Sequence, residues 1–231
     1  MFNNSNTLSL PGEEYKYSNI RYWLLGKIIE KASGLSYSDY ININIFKPLK
    51  LSQDEIGFVI SNESNHAKGY LNKYSFMNLI KSFLMSDITW NEYEGSWLHI
   101  NNVYLNGPAF GPAKAFSRIL QSLLSKNSVL LGSDVKRYLY SQKKTSSGKE
   151  TEMTLGWHIG KLGYKQYYFK EGGGAGFHCE MRIYPDSNFA SVIMVNRTSF
   201  NTRKQLSNLD KSVISKYNTT RFENEDQQQR R

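Results

Sequence analysis

Three serines in this chain have a lysine three residues on: Ser133-Asp134-Val135-Lys136, Ser141-Gln142-Lys143-Lys144 and Ser146-Ser147-Gly148-Lys149. A serine hydroxyl with a lysine one helical turn away can act as an activated nucleophile, so the chemistry in question is acyl transfer. Only Ser133 stands at the start of a predicted helix, and there a helix cap followed by a surface lysine accounts for the pattern fully, so Ser133 is not expected to be a nucleophile. Ser18 and His178 have no acidic partner at a spacing that would suggest a Ser-His-acid triad. Two other polar clusters stand out, Tyr17-Ser18-Asn19 and Lys170-Glu171-Gly172-Gly173-Gly174. The glycines do not read as a phosphate cradle, because they join two predicted strands instead of leading into a helix N-terminus. Taken one at a time, Tyr17 could be a helix-entry packing residue, Ser18 or Asn19 a cap, and Gly172 to Gly174 a loop.

The elements that must position these residues follow from the spacing of apolar side chains. Ile20, Trp23, Leu24 and Ile28 recur at helical spacing with Gly34 as a stop, which predicts an amphipathic helix over about 18–33. A second helix starts at Ser36, with Asp39 three residues on, and runs through Tyr40, Ile43 and Phe46 until Pro48 ends it. Short helices and long loops are expected between Leu51 and Pro112, where Trp90, Tyr93, Trp97 and Tyr104 are scattered. Phe116, Ile119, Leu120, Leu123 and Leu124 mark a helix from Ala113 to Ser125, and a short one follows from Asp134 to about Tyr140 with Ser133 as its cap.

The period then changes. Residues 156–160, 166–170, 177–184 and 191–196 read as strands, the last two joined by a Pro185-Asp186-Ser187-Asn188 turn. A final helix from Lys204 to Tyr217 presents Leu206, Leu209, Val213 and Ile214 to that sheet. The fold class is α+β, an antiparallel sheet flanked by helices, in one domain over residues 1–219. Residues 220–231, with their run of Glu, Asp, Gln and Arg, read as a disordered tail.

In this order the polar clusters resemble a known family. Pro11 to Asn19, followed by Leu24-Leu25-Gly26-Lys27, Ser33-Gly34 and Phe46-Lys47-Pro48-Leu49, is similar to the middle of the beta-lactamase-related serine hydrolases. The nearest branch is the one holding class C beta-lactamases, D-alanyl-D-alanine carboxypeptidases and related esterases. Phe169 to Phe177, Arg182-Ile183-Tyr184-Pro185 and Val192 to Asn196 resemble that family's Lys-Thr-Gly strand and the hairpin after it.

The resemblance implies a beta-lactamase/transpeptidase-like fold, incomplete at the N-terminus, with hydrolysis of an ester, amide or lactam through an acyl-serine. It implies that Tyr17 is a phenolic base, Lys170 a cation that lowers the phenol's pKa, and Asn19 a hydrogen-bond partner of the substrate amide. The strand from Lys170 to Gly174 would pair with the substrate backbone. Glu171, standing where relatives carry a hydroxyl, would repel a substrate carboxylate. The family's Ser-x-x-Lys precedes its tyrosine, and no such motif precedes Tyr17. The nucleophile segment is therefore expected to be truncated, lost, or supplied as a separate N-terminal segment on another chain, this chain is expected to be inactive alone, and exposed apolar surface is expected where that segment is missing. The alternative is a non-catalytic module that binds a peptide-like or cell-wall ligand.

Composition excludes several other classes. The 231 residues are 39% hydrophobic and 14% aromatic, enough for one sizeable core, and no run is long and apolar enough to span a bilayer. The net charge is +9, of which residues 197–231 supply +4 and the rest +5. Neither part is extreme and no aromatic-basic signature interleaves the lysines, so a solvated basic surface is expected and no nucleic-acid partner. Cys179 is the only cysteine, which excludes an internal disulfide, and His66, His99, His158 and His178 show no metal-ligand spacing. No metal and no cofactor are expected, and the partner is a small-molecule or peptide-like substrate.

Overall fold

In the computed structural model, the structure describes residues 10–58, 67, 69, 109–174, 177–197 and 200–229. The first helix, α1 (Asn19–Ser33), begins after Ser18 in extended backbone. It ends at Gly34, whose left-handed φ of 72° lets its N–H close back on the Glu30 carbonyl. Next comes α2 (Tyr37–Ile41), capped as expected by Ser36, whose hydroxyl oxygen accepts the Asp39 N–H at 3.1 Å. It runs on through a π-helical turn, Asn42–Phe46. Two more helices follow, α3 (Ala113–Leu124) and α4 (Ser133–Tyr140). The cap expected of Ser133 is not formed: Gly132 holds the N-cap position, and no side chain caps the helix there. The aromatic stretch that holds Trp90, Tyr93, Trp97 and Tyr104 lies outside the described residues.

The sheet is an antiparallel meander of β1 (His158–Leu162), β2 (Lys165–Gly174), β3 (Phe177–Tyr184) and β4 (Phe189–Val195), in that spatial order. The β3–β4 connection is a 3-10 turn closed by Asn188 at a φ of 46°, a left-handed position that asparagine tolerates well. Strand register sorts the side chains by face. Tyr167 faces Tyr184, Phe169 faces Arg182 and Glu171 faces Glu180, so these six share one side of the sheet. Tyr168, Lys170 and Gly172 lie on the other side with Ile183, Met181 and Cys179.

Helix α5 (Thr202–Gln229) covers the first side. Its buried stripe is Thr202, Leu206, Asp210 and Ile214, spaced four apart, and Leu209 and Val213 are exposed instead of packed. The expected apolar stripe is thus corrected: two polar residues replace two apolar ones, and of these Asp210 meets the buried Arg182 and the Tyr184 hydroxyl of β3. The helix also continues to Gln229 through the stretch that composition marks as a disordered tail. Gln, Glu and Arg are good helix formers, so the helix can propagate without an apolar face.

Two clusters make the core among the described residues. Phe46, Leu51, Ile56 and Ala115 pack where the π-helical turn, the 51–58 loop and the start of α3 meet, while Tyr167, Tyr184 and Ile214 pack between the sheet and α5. At the first cluster, Gly57 and Phe110 exchange backbone hydrogen bonds of 2.9 and 2.7 Å. Gly111 follows directly, and a side chain on it would stand 2.8 Å from the Glu55 carbonyl oxygen. The apolar face expected of α1 is not buried in this way. Ile20 is 69% exposed, Leu24, Leu25 and Ile28 are exposed as well, and Gly26 is the helix's buried residue.

Candidate active site

Tyr17 and Lys170, 153 positions apart in the chain, come together where the start of α1 lies against β2. The Lys170 Nζ sits 5.7 Å from the centre of the Tyr17 ring and 4.6 Å from that of Tyr22. Its hydrogen bond, 2.9 Å long, goes to the Tyr22 hydroxyl. Tyr17 donates its own hydroxyl to Asn19 Oδ1 at 2.8 Å, so the expected base and the expected substrate amide ligand hold each other. The two tyrosine rings are 5.7 Å apart. Tyr22 is the residue that sequence reasoning missed, because at the fourth position of an amphipathic helix it reads as one more packing aromatic.

The strand around Lys170 offers an open edge. Strand β1 reaches β2 only as far as His158 opposite Phe169, so Lys170 to Gly174 pair with β3 on one side and with no described strand on the other. An unpaired strand edge is a template for an extended ligand. Glycine suits this stretch because a side chain at Gly172 would come within 3.0 Å of Cys179 Sγ, and one at Gly173 within 3.2 Å of the Phe177 carbonyl oxygen.

Glu171 does not stand as a lone negative charge. Arg203, at the start of α5, pairs with it at 2.9 Å and lays its guanidinium 5.2 Å from the Phe169 ring centre. Arg203 is itself placed from within, because the buried Arg182 donates to the Arg203 carbonyl at 3.0 Å. His158 completes the edge, stacked on Phe169 with ring centres 5.1 Å apart and met edge-on by Tyr15. Burial, and then the Lys170 charge, push its pKa below the usual histidine value, so it is neutral at neutral pH.

None of the three serine-lysine spacings forms a dyad. Lys136 turns away to the carbonyls of Ser122 and Ser125 at the end of α3, and Lys144 pairs with Glu150 at 3.2 Å. Ser146 and Lys149 belong to a tight loop in which Ser146 N–H donates to the Gly12 carbonyl at 2.8 Å. Ser141 does meet an ammonium, but it is Lys143 that donates to it, at 2.7 Å, while Ser141 donates to the Tyr138 carbonyl. A hydroxyl that accepts from a charged lysine and gives its proton to a carbonyl is satisfied, with no base waiting to take that proton.

Cys179 lies beside the same strand, and burial, ahead of its other neighbours, pushes its thiol pKa up. Its reaction with a disulfide reagent at pH 8 is expected to be at least about tenfold slower than that of a free thiol, and to become fast only in denaturant. Rapid native labelling would show that the sheet opens at Gly172.

With this geometry in place, known proteins can be set beside it. Penicillin-binding protein 4* of Bacillus subtilis (strain 168) is 48% identical over 46 residues, a stretch covering 20% of this chain and 10% of that protein. The D-amino acid amidase of Ochrobactrum anthropi SV3, solved with L-phenylalanine, superposes with a TM-score of 0.69 at 15% identity, over 90% of this chain and 62% of that one. The octameric penicillin-binding protein homologue of Pyrococcus abyssi does so with a TM-score of 0.61 at 18% identity, over 84% of this chain and 41% of that one. The chain thus spans less than two thirds of each of these relatives. The antiparallel sheet with its flanking helices is the beta-lactamase/transpeptidase-like fold, and no helix among the described residues is long and apolar enough to cross a membrane. The Beta-lactamase family model matches residues 2–211, nearly the whole length, and the chain belongs to that family of serine hydrolases.

Proposed function

We propose that this chain supplies the phenol, the cation and the substrate strand of a site that hydrolyses an ester, amide or lactam through an acyl-serine, the serine being carried by a segment outside these 231 residues. The observation that carries this reading is the meeting of Tyr17, Asn19 and Lys170 beside the open edge of β2. In the reaction, the Tyr17 oxygen takes the serine's proton as the serine oxygen bonds to the substrate carbonyl carbon. The tetrahedral intermediate then collapses, the leaving group departs with that proton, and water releases the acyl group from the serine. Lys170 stabilises the phenolate that this requires, and Asn19 turns from Tyr17 to the substrate amide.

Two further observations support the reading. The exposed apolar row of α1, from Ile20 to Ile28, is surface that a further segment of the domain would cover. Arg203, paired with Glu171, leaves the strand edge without a net negative charge, so the edge does not repel an extended substrate. A non-catalytic binding module is the second reading, and it is favoured by the Tyr17–Asn19 bond, which closes the base on its own neighbour.

Intact mass after exposure to a fluorophosphonate and, in parallel, to a penicillin tests the proposal. The chain alone is expected to gain no covalent adduct. A chimera that joins a family N-terminal half bearing Ser-x-x-Lys to residue 10 is expected to gain one, and to lose it on Lys170→Ala. An adduct on the chain alone would overturn the proposal. A folded chimera that stays unlabelled, with ligand-dependent thermal stabilisation of the chain, would establish the binding module in its place.

A further inference from the structure

Among the described residues, the Lys170 ammonium has two phenols within reach and hydrogen-bonds one of them. Tyr22 Oη receives it at 2.9 Å and Tyr22 also lies under it at 4.6 Å from the ring centre, whereas Tyr17 offers only its ring, at 5.7 Å, with its hydroxyl spent on Asn19. Tyr22 is one turn into α1, so its position is fixed by the helix and not by the loop that carries Tyr17. Gly156 approaches it with a φ of 82°, and a side chain there would stand 3.9 Å from the Tyr22 oxygen.

We infer that Tyr22 is a positioning residue of the site: it holds the Lys170 ammonium over the Tyr17 ring and leaves the Tyr17 hydroxyl free to exchange between Asn19 and a substrate-side proton. The inference rests on the hydrolase reading for its use, but the hold on Lys170 is a property of this chain alone. A lysine released from Tyr22 has two other attractions, the Tyr17 ring and open water. Without the Tyr22 acceptor it samples solvent and is no longer kept above the base. Tyr22 therefore does for the cation what a second ligand does for a metal-bound histidine, fixing the orientation of a group that acts elsewhere.

Acetylation of the purified full chain by a water-soluble N-hydroxysuccinimide ester, read by peptide mass spectrometry across pH 7 to 11, tests this. Lys161, exposed on β1, serves as the internal reference. Tyr22→Phe keeps the ring and removes the acceptor. It is expected to raise the Lys170 rate relative to Lys161 by about tenfold or more, the scale of a hydrogen bond to a charged group. Tyr17→Phe is expected to leave the Lys170 rate within about twofold, since the ring stays and the lost hydroxyl bonds Asn19.

Simple loosening of the fold would instead raise labelling at Lys136 as well, whose amine is held by the end of α3. That result overturns the inference, as does a Tyr22→Phe profile that matches wild type or a Tyr17→Phe variant that releases Lys170 as fully. The outcome is separable from the hydrolase reading: labelling needs no turnover, and a fluorophosphonate adduct on the chain alone would remove that reading while leaving the Tyr22 result to stand.

Discussion

Replacing Arg182 with alanine is expected to cost about 3–5 kcal/mol, a large share of the stability of a domain this size. Arg182 is fully buried, and so are Glu180 and Asp210, its two carboxylate partners at 2.6 and 3.2 Å. It also donates to Ser207 Oγ and to the Arg203 carbonyl, both at 3.0 Å, and lies 4.7 Å from the Tyr167 ring centre. Without the guanidinium, two carboxylates face each other across β3 and α5 with no counter-charge, which is the costly way to break a buried pair. Arg182→Lys keeps the charge but not the planar fork, and is expected to fall between alanine and wild type. Exchanging Glu180, Arg182 and Asp210 together for apolar residues of similar size is expected to recover most of the loss, because desolvation then falls on no ion. Urea melts of the three variants separate these cases. An alanine variant within about 1 kcal/mol of wild type would mean that the network is wet and the helix is held by Leu206 and Ile214 alone.

The same network shows why part of the candidate site was legible in the sequence and part was not. Helix and strand positions follow from periodicity, and the ends of α1, α3 and all four strands fall within a few residues of where apolar spacing and turn residues put them. Tyr17, Lys170 and the glycines could be named because residue type and order survive along a chain. The partners could not. That Arg203 neutralises Glu171, and that Tyr22 instead of Tyr17 receives Lys170, depend on register and on helix rotation across 32 and 148 residues. The stripe on α5 failed for a related reason: periodicity counts Asp210 as surface, and only the arginine and tyrosine of β3 make it favourable to bury it. The apolar face of α1 shows the converse. It was read from the right pattern and lies exposed, since a pattern states that a face seeks a partner and not where that partner is.

Raising the pH above about 10 is expected to unfold this chain more steeply than its lysines would suggest, through buried phenols. Tyr184 is fully buried and donates to Asp210 Oδ2 at 2.7 Å, and burial, then that carboxylate, pushes its pKa far up. Tyr140, stacked on Tyr168 with its hydroxyl buried, is pushed up by burial and then by that neighbour. In each case the fold holds the neutral form more tightly than the unfolded chain does. The stability contributed is complete below the unfolded pKa near 10 and is lost as pH rises above it, at about 1.4 kcal/mol per pH unit for each tyrosine. Two such groups remove about 3 kcal/mol by pH 11. Urea melts at pH 8, 10 and 11, followed together with tyrosinate absorbance, read this directly. Tyr184→Phe is expected to lower the alkaline slope, because one of the raised phenols is gone while Arg182 still satisfies Asp210. An unchanged slope would mean that the phenol ionises inside the fold, which the Asp210 carboxylate opposes. Since Arg182 and Tyr184 share Asp210, and Arg182 in turn places Arg203 against Glu171, the edge of β2 is expected to lose its Glu171–Arg203 pair in the same transition that exposes Tyr184.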